Sequence, residues 1–92
     1  MYKKSDRKKG LVTFEIKPPK PAKEVLLSGD FTNWVPTPMK KLKDGSFSTS
    51  ISLESGTHEY KFVVDGQWAI DPDNVQTTWN PLGTMNSVAG ID

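Results

Sequence analysis

Apolar and polar residues alternate along this chain in short stretches, and no stripe of helical period runs through it. Val12, Phe14 and Ile16 share one side of Leu11–Ile16, which predicts a strand with one buried face. Pro18, Pro19 and Pro21 stop that ladder, because proline has no N–H to donate. Val25 and Leu27 begin a second strand, closed by the turn residues Ser28-Gly29-Asp30. Phe47, Thr49, Ile51 and Leu53 alternate with Ser48, Ser50 and Ser52 in a third, half-exposed strand. Glu54-Ser55-Gly56 turns into His58–Val64, Gln67–Ile70 runs back, and Asp71-Pro72-Asp73-Asn74 turns again before a last strand at Thr84–Val88. Many short strands separated by turns predict an all-β chain folded as an antiparallel β-sandwich.

The dipeptide Asp65-Gly66 adds register. It suits a two-residue type I′ hairpin, whose central residues both need positive φ. Val64 then lies opposite Gln67, Val63 opposite Trp68 and Lys61 opposite Ile70. Tyr60, Phe62 and Val64 point one way, as a core face should. Lys61, Val63, Trp68 and Ile70 point the other. A tryptophan beside a lysine on the outside of a sheet calls for a partner.

Composition narrows the function. The 92 residues suffice for one domain, and the absence of cysteine, with a single histidine, excludes disulfides, a thiol nucleophile and a His/Cys zinc cage. Mean hydropathy is −0.53 and apolar runs stop at three residues, so no membrane span is expected. No signal-peptide-like stretch opens the chain, and a cytoplasmic protein is the expectation. Lys3, Lys4, Arg7, Lys8 and Lys9 against Asp6 give residues 1–10 a charge of +4, which leaves −3 for 11–92 from the overall +1. Residues 1–10 therefore read as a basic, disordered tail and 11–92 as the folded domain. The acidic body argues against nucleic acid as a partner.

Three tryptophans are the candidate chemistry. Trp34 follows the turn Gly29-Asp30-Phe31-Thr32-Asn33, Trp68 follows the hairpin, and Trp79 precedes Asn80-Pro81. Flat rings on a rigid sheet stack on sugars or bases, at about 1–3 kcal/mol per base in the second case; a tryptophan can equally plug the end of a thin sandwich. Lys61, Thr84 and Asn86 carry groups that bond hydroxyls, although strand lysines are commonly just solvated and asparagines near strand ends commonly form turns. His58 reads as structural, since its neighbour Glu59 points to the opposite face and the two form no dyad. Asp71-Pro72-Asp73-Asn74 lacks the glycine and terminal glutamate of a calcium loop and reads as a turn. With no phosphate loop, serine elbow or zinc motif, the sequence predicts no catalysis, no metal and no cofactor.

The order Val25-x-Leu27-x-Gly29-Asp30-Phe31-x-Asn33-Trp34, then His58 through Trp68, then Asp71-Pro72, then Leu82-Gly83-Thr84-x-Asn86-Ser87-Val88 resembles a family 48 carbohydrate-binding module. That family includes the glycogen-binding domain of AMP-activated protein kinase beta subunits and is related to the N-terminal domains of isoamylase-type debranching enzymes and of branching enzymes. The resemblance runs from Leu11 to the end. It implies an immunoglobulin-like sandwich of seven or eight strands that binds α-1,4-glucans such as glycogen, starch or cyclodextrin. By the same resemblance, Trp34 and Trp68 cradle the glucan, Lys61, Thr84 and Asn86 bond it, and Leu82 fills its curl. Trp79 falls outside the family pattern and is an additional contact at the rim. A larger enzyme or kinase complex is the implied protein partner, and a protein-binding scaffold of the same fold is the alternative.

Overall fold

The computed structural model describes residues 1–92. Ten strands follow in order: β1 Tyr2–Lys4, β2 Leu11–Ile16, β3 Val25–Gly29, β4 Thr37–Pro38, β5 Lys40–Lys41, β6 Phe47–Ser52, β7 Gly56–Val64, β8 Gln67–Ala69, β9 Thr77–Trp79 and β10 Met85–Ile91. The only helical element is a 3-10 turn at Asp30–Thr32, after β3. All pairings are antiparallel, in two sheets. One has the order β1-β2-β6-β5; the other runs β4-β3-β7-β10-β9, with β8 also on β7. The chain is all-β, as the alternation predicts. The strands beyond the expected seven or eight are among pieces of two or three residues, too short to carry a period of their own.

The sheets close on the faces read from the sequence. Val12, Phe14 and Ile16 of β2 meet Val25 and Leu27 of β3, Tyr60 and Phe62 of β7, and Ala89 and Ile91 of β10, all buried. Aromatic edges set the packing: the Phe14 ring lies 4.8 Å from that of Tyr60, and Tyr60 lies 5.8 Å from Phe62, both T-shaped.

Strand β7 organises the second sheet. Its nine residues are long enough to serve three partners. β3 takes one edge along Tyr60–Val64. On the other edge β10 pairs with Gly56–Tyr60, and β8 takes over along Phe62–Val64. Asp65 and Gly66 adopt φ of 46° and 85°, the two positive values a type I′ turn requires, so Val63 faces Trp68 as expected. Ile70, expected opposite Lys61, lies instead beyond the end of β8. The strand breaks there because the chain turns into Asp71.

Asp71-Pro72-Asp73-Asn74 does turn, but Asp71 is buried rather than solvated. Its carboxylate accepts a 2.7 Å bond from the Tyr60 hydroxyl, and its backbone N–H donates to Ser87 Oγ at 2.8 Å. Asn74 Nδ2 closes the network, donating to the Tyr60 oxygen at 3.0 Å and to the Val88 carbonyl at 2.9 Å. Burial in this site pushes the Tyr60 phenol well above its usual range.

Residues 1–10 depart from the expected disordered tail. Tyr2–Lys4 pairs with β2, placing Tyr2 opposite Phe14 and Lys4 opposite Val12. The reason is a single ring inside a run of charge. Tyr2 stands 6.3 Å from Phe14 and 6.4 Å from Tyr60, and its hydroxyl accepts the Gly90 N–H at 3.2 Å. The lysines stay in water, so net charge concealed the strand.

Candidate functional site

The outward face of the six-stranded sheet follows from the register. Side chains alternate along β7, so Glu59, Lys61 and Val63 turn away from the core while Tyr60 and Phe62 enter it. Trp68 pairs with Val63 and shares that outer face. Ser87 pairs with Tyr60, which puts Asn86 one step on, beside Lys61. A cleft of about 680 Å³ opens over this surface. Trp34, Trp68, Lys61, Leu82, Thr84 and Asn86, all singled out in the sequence, line it together.

Trp34 reaches the cleft through strained backbone. Asn33 and Trp34 have φ of 54° and 61°, and a bulky residue in the left-handed region costs on the order of 1–3 kcal/mol. The Trp34 N–H bonds the Gly29 carbonyl at 2.8 Å, and the Thr32 hydroxyl bonds the same carbonyl at 3.0 Å. Gly29 has no substitute here: a Cβ would sit 2.5 Å from the Phe31 ring and 2.8 Å from the Glu59 carbonyl oxygen. These contacts hold the reversed chain that turns the indole toward the sheet. Trp68, 52% exposed on β8, and Leu82, 89% exposed at the tip of the β9–β10 loop, complete the apolar surface.

Asn80, which the sequence marks only as the residue after Trp79, organises the polar floor. Its Oδ1 accepts the backbone N–H groups of Leu82 at 3.0 Å and Thr84 at 3.1 Å. Its Nδ2 donates to Thr84 Oγ1 at 2.7 Å and to Asn86 Oδ1 at 3.0 Å. Asn86 Nδ2 donates in turn to Glu59 Oε1 at 2.9 Å, and Lys61 Nζ donates to Thr84 Oγ1 at 3.1 Å. With both Thr84 lone pairs occupied, its hydroxyl hydrogen is left as a donor. Asn86 is only 3% exposed, and one amide hydrogen remains outside these bonds. It sits in the floor rather than standing up from it.

Asp30 and Glu59 were also missed as cleft residues. Glu59 stands two residues before Lys61, a spacing that puts both on one strand face. Glu59 and His58 point apart, as expected. His58 turns to the other side, its Nδ1 3.3 Å from Asp30 Oδ1 and its Nε2 2.8 Å from the Glu54 carbonyl oxygen. Asp30 is 28 residues away, a partner that no local pattern announces. Asp30 Oδ2 also accepts the Glu59 N–H at 2.9 Å.

Trp79 lies apart from the cleft, 71% exposed on β9. Thr84 Oγ1, the cleft's one side-chain hydroxyl, accepts from two donors, Lys61 Nζ and Asn80 Nδ2. Two flat apolar walls, a projecting leucine and a floor of mixed donors and acceptors fit a neutral ligand rich in hydroxyls.

A family model described as the glycogen recognition site of AMP-activated protein kinase matches residues 12–92. The beta-1 subunit of 5'-AMP-activated protein kinase from Sus scrofa is 44% identical over 69 residues, covering 75% of this chain and 55% of that sequence. The Homo sapiens beta-1 subunit is also 44% identical over 75% of this chain, which spans 25% of it. Protein PTST homolog 2, chloroplastic, from Arabidopsis thaliana is 49% identical over 67% of this chain and 12% of its own length. The plant protein's name places it in the chloroplast, so these matches do not fix a cytoplasmic compartment for this chain. Among solved structures, maltogenic amylase from S. marinus superposes over 100% of this chain and 16% of its own, with a TM-score of 0.81. At 24% identity that likeness speaks to the fold alone.

Proposed function

The chain belongs to the family of the glycogen recognition site of AMP-activated protein kinase, a family of carbohydrate-binding modules, and from that premise we propose that its outer cleft binds curved α-1,4-glucan chains without transforming them. The observation that carries the reading is the meeting of Trp34 and Trp68, 34 residues apart in the chain, at one cleft that Lys61, Leu82 and Thr84 also line.

In this reading Trp34 and Trp68 stack on the apolar faces of glucose rings. Leu82 enters the hollow that the bent α-1,4 chain leaves on its inner side. Lys61 and the free Thr84 hydrogen donate to hydroxyls, while Glu59 and Asp30 accept from them. Asn86 anchors the floor and offers its remaining amide hydrogen. Shape provides the selection, since a β-1,4 chain lies flat and cannot wrap the leucine. Two stacks and a few water-exposed hydrogen bonds support affinity of about millimolar to micromolar. The relatives named as kinase subunits support a place within a larger enzyme or kinase assembly, with this domain as the glucan-binding part.

Titration with β-cyclodextrin tests the reading. Trp68→Ala removes a half-exposed ring outside the core and should leave the fold intact. It should weaken binding by about 1–3 kcal/mol, by analogy with base stacking. Equal affinities for the two proteins would refute the site.

A further inference from the structure

The hairpin that carries the tip of the cleft has a second side. β9 and β10 pair Thr78 with Asn86 and Trp79 with Met85. The Asn80 N–H bonds the Thr84 carbonyl at 2.8 Å, which carries the pairing up to the loop. Thr78 and Asn86 therefore share the cleft side, and Trp79 and Met85 share the reverse. Trp79 belongs to no part of the core and stands mostly in water on an edge strand. Its chain neighbour Asn80 already lines the cleft, so Trp79 stands on the far side of the hairpin that borders it. The four bonds of the Asn80 side chain fix the tip Pro81-Leu82-Gly83, and with it the relation of one side to the other.

We propose that Trp79 is a second stacking platform for the same α-glucan, engaged by the part of a long chain that passes over Leu82 onto the reverse of the hairpin. This rests on the cleft reading above and extends it. The chemistry of the stretch favours a neutral polyhydroxyl occupant. Residues 74–91, which include the whole hairpin, contain no Asp, Glu, Lys, Arg or His; they are amides, hydroxyls and apolar groups. A phosphate backbone would find no cation there, and a charged protein surface no complement. A glucan already held in the cleft reaches Trp79 as an intramolecular step, so one more stack adds affinity only for chains long enough to cross the tip.

The test compares β-cyclodextrin, a closed ring with no free end to cross the tip, with long linear maltodextrin. Wild type, Trp79→Ala and Trp79→Phe are titrated with both. Trp79→Ala should weaken maltodextrin binding about fivefold or more and leave cyclodextrin binding at the wild-type value. Trp79→Phe, which keeps a ring, should retain most of the maltodextrin affinity. Unchanged maltodextrin affinity in Trp79→Ala would overturn the proposal while leaving the cleft reading standing. An equal loss on both ligands would also overturn it, since Trp79 would then act only through the loop. So would a shift in the sedimentation of the free protein without a change in glucan affinity, which would make the ring a contact between copies. A wild type that binds neither ligand sinks the cleft reading and this one together.

Discussion

Replacing Asn80 by alanine removes four hydrogen bonds at once and touches no residue of the hydrophobic core. Two of those bonds hold the N–H groups of Leu82 and Thr84, and their loss frees the tip of the hairpin. Pro81 stays restrained by its ring, so Leu82 and Gly83 gain most of the freedom. Re-ordering two residues on binding costs on the order of 2 kcal/mol, which corresponds to a Kd raised ~30-fold. The effect on folding should be smaller. Three of the bonds are solvent-exposed and only the one to Asn86 is partly buried, so water replaces most of what is lost. One partly buried bond is worth about 1 kcal/mol, a fall in Tm of about 4–8 °C for a domain of this size. Calorimetric titration with β-cyclodextrin should show the weaker Kd together with a more unfavourable binding entropy. Asn80→Asp keeps the oxygen that holds the two N–H groups but loses the donations to Thr84 Oγ1 and Asn86 Oδ1, and it should fall between alanine and wild type. Wild-type affinity in Asn80→Ala would refute the idea that this side chain pre-organises the loop.

Two further predictions concern the scaffold. Burial raises the pKa of folded Tyr60 above the unfolded value of about 10, so its contribution to stability is complete below that pH and is lost as pH rises past it. Tyr60→Phe should remove this alkaline loss and, by leaving Asp71 and Asn74 short of a partner, cost about 1–3 kcal/mol at neutral pH; denaturant melts across the alkaline range check both, and identical pH slopes would count against the account. Phe14→Ala empties the centre of the aromatic cluster and should destabilise by about 3–5 kcal/mol in the same melts. A loss under about 1 kcal/mol would mean that Phe14 does not carry the core.

Much of the candidate cleft is legible in the sequence, because its signals are local. Period-two alternation sorted β2 and β7 into core and solvent faces. The turn chemistry of Asp65-Gly66 then fixed which residue faced which, and so put Lys61 and Trp68 on one surface. Tertiary structure alone decided the rest. Trp34 joins that surface through two consecutive left-handed residues that no pattern of hydrophobicity announces. Asn86 arrives beside Lys61 because β10 and β8 divide one edge of β7 between them, a matter of pairing between distant segments. Asp30 reads as an ordinary turn residue and Asn80 carries no signal at all, since their partners lie across a loop or on another strand. Tyr2 was hidden by the charges around it until its ring met Phe14. Short-range sterics and periodicity set the direction in which each side chain points. Which side chains meet depends on closing the chain into two sheets, and the cleft exists only at that level.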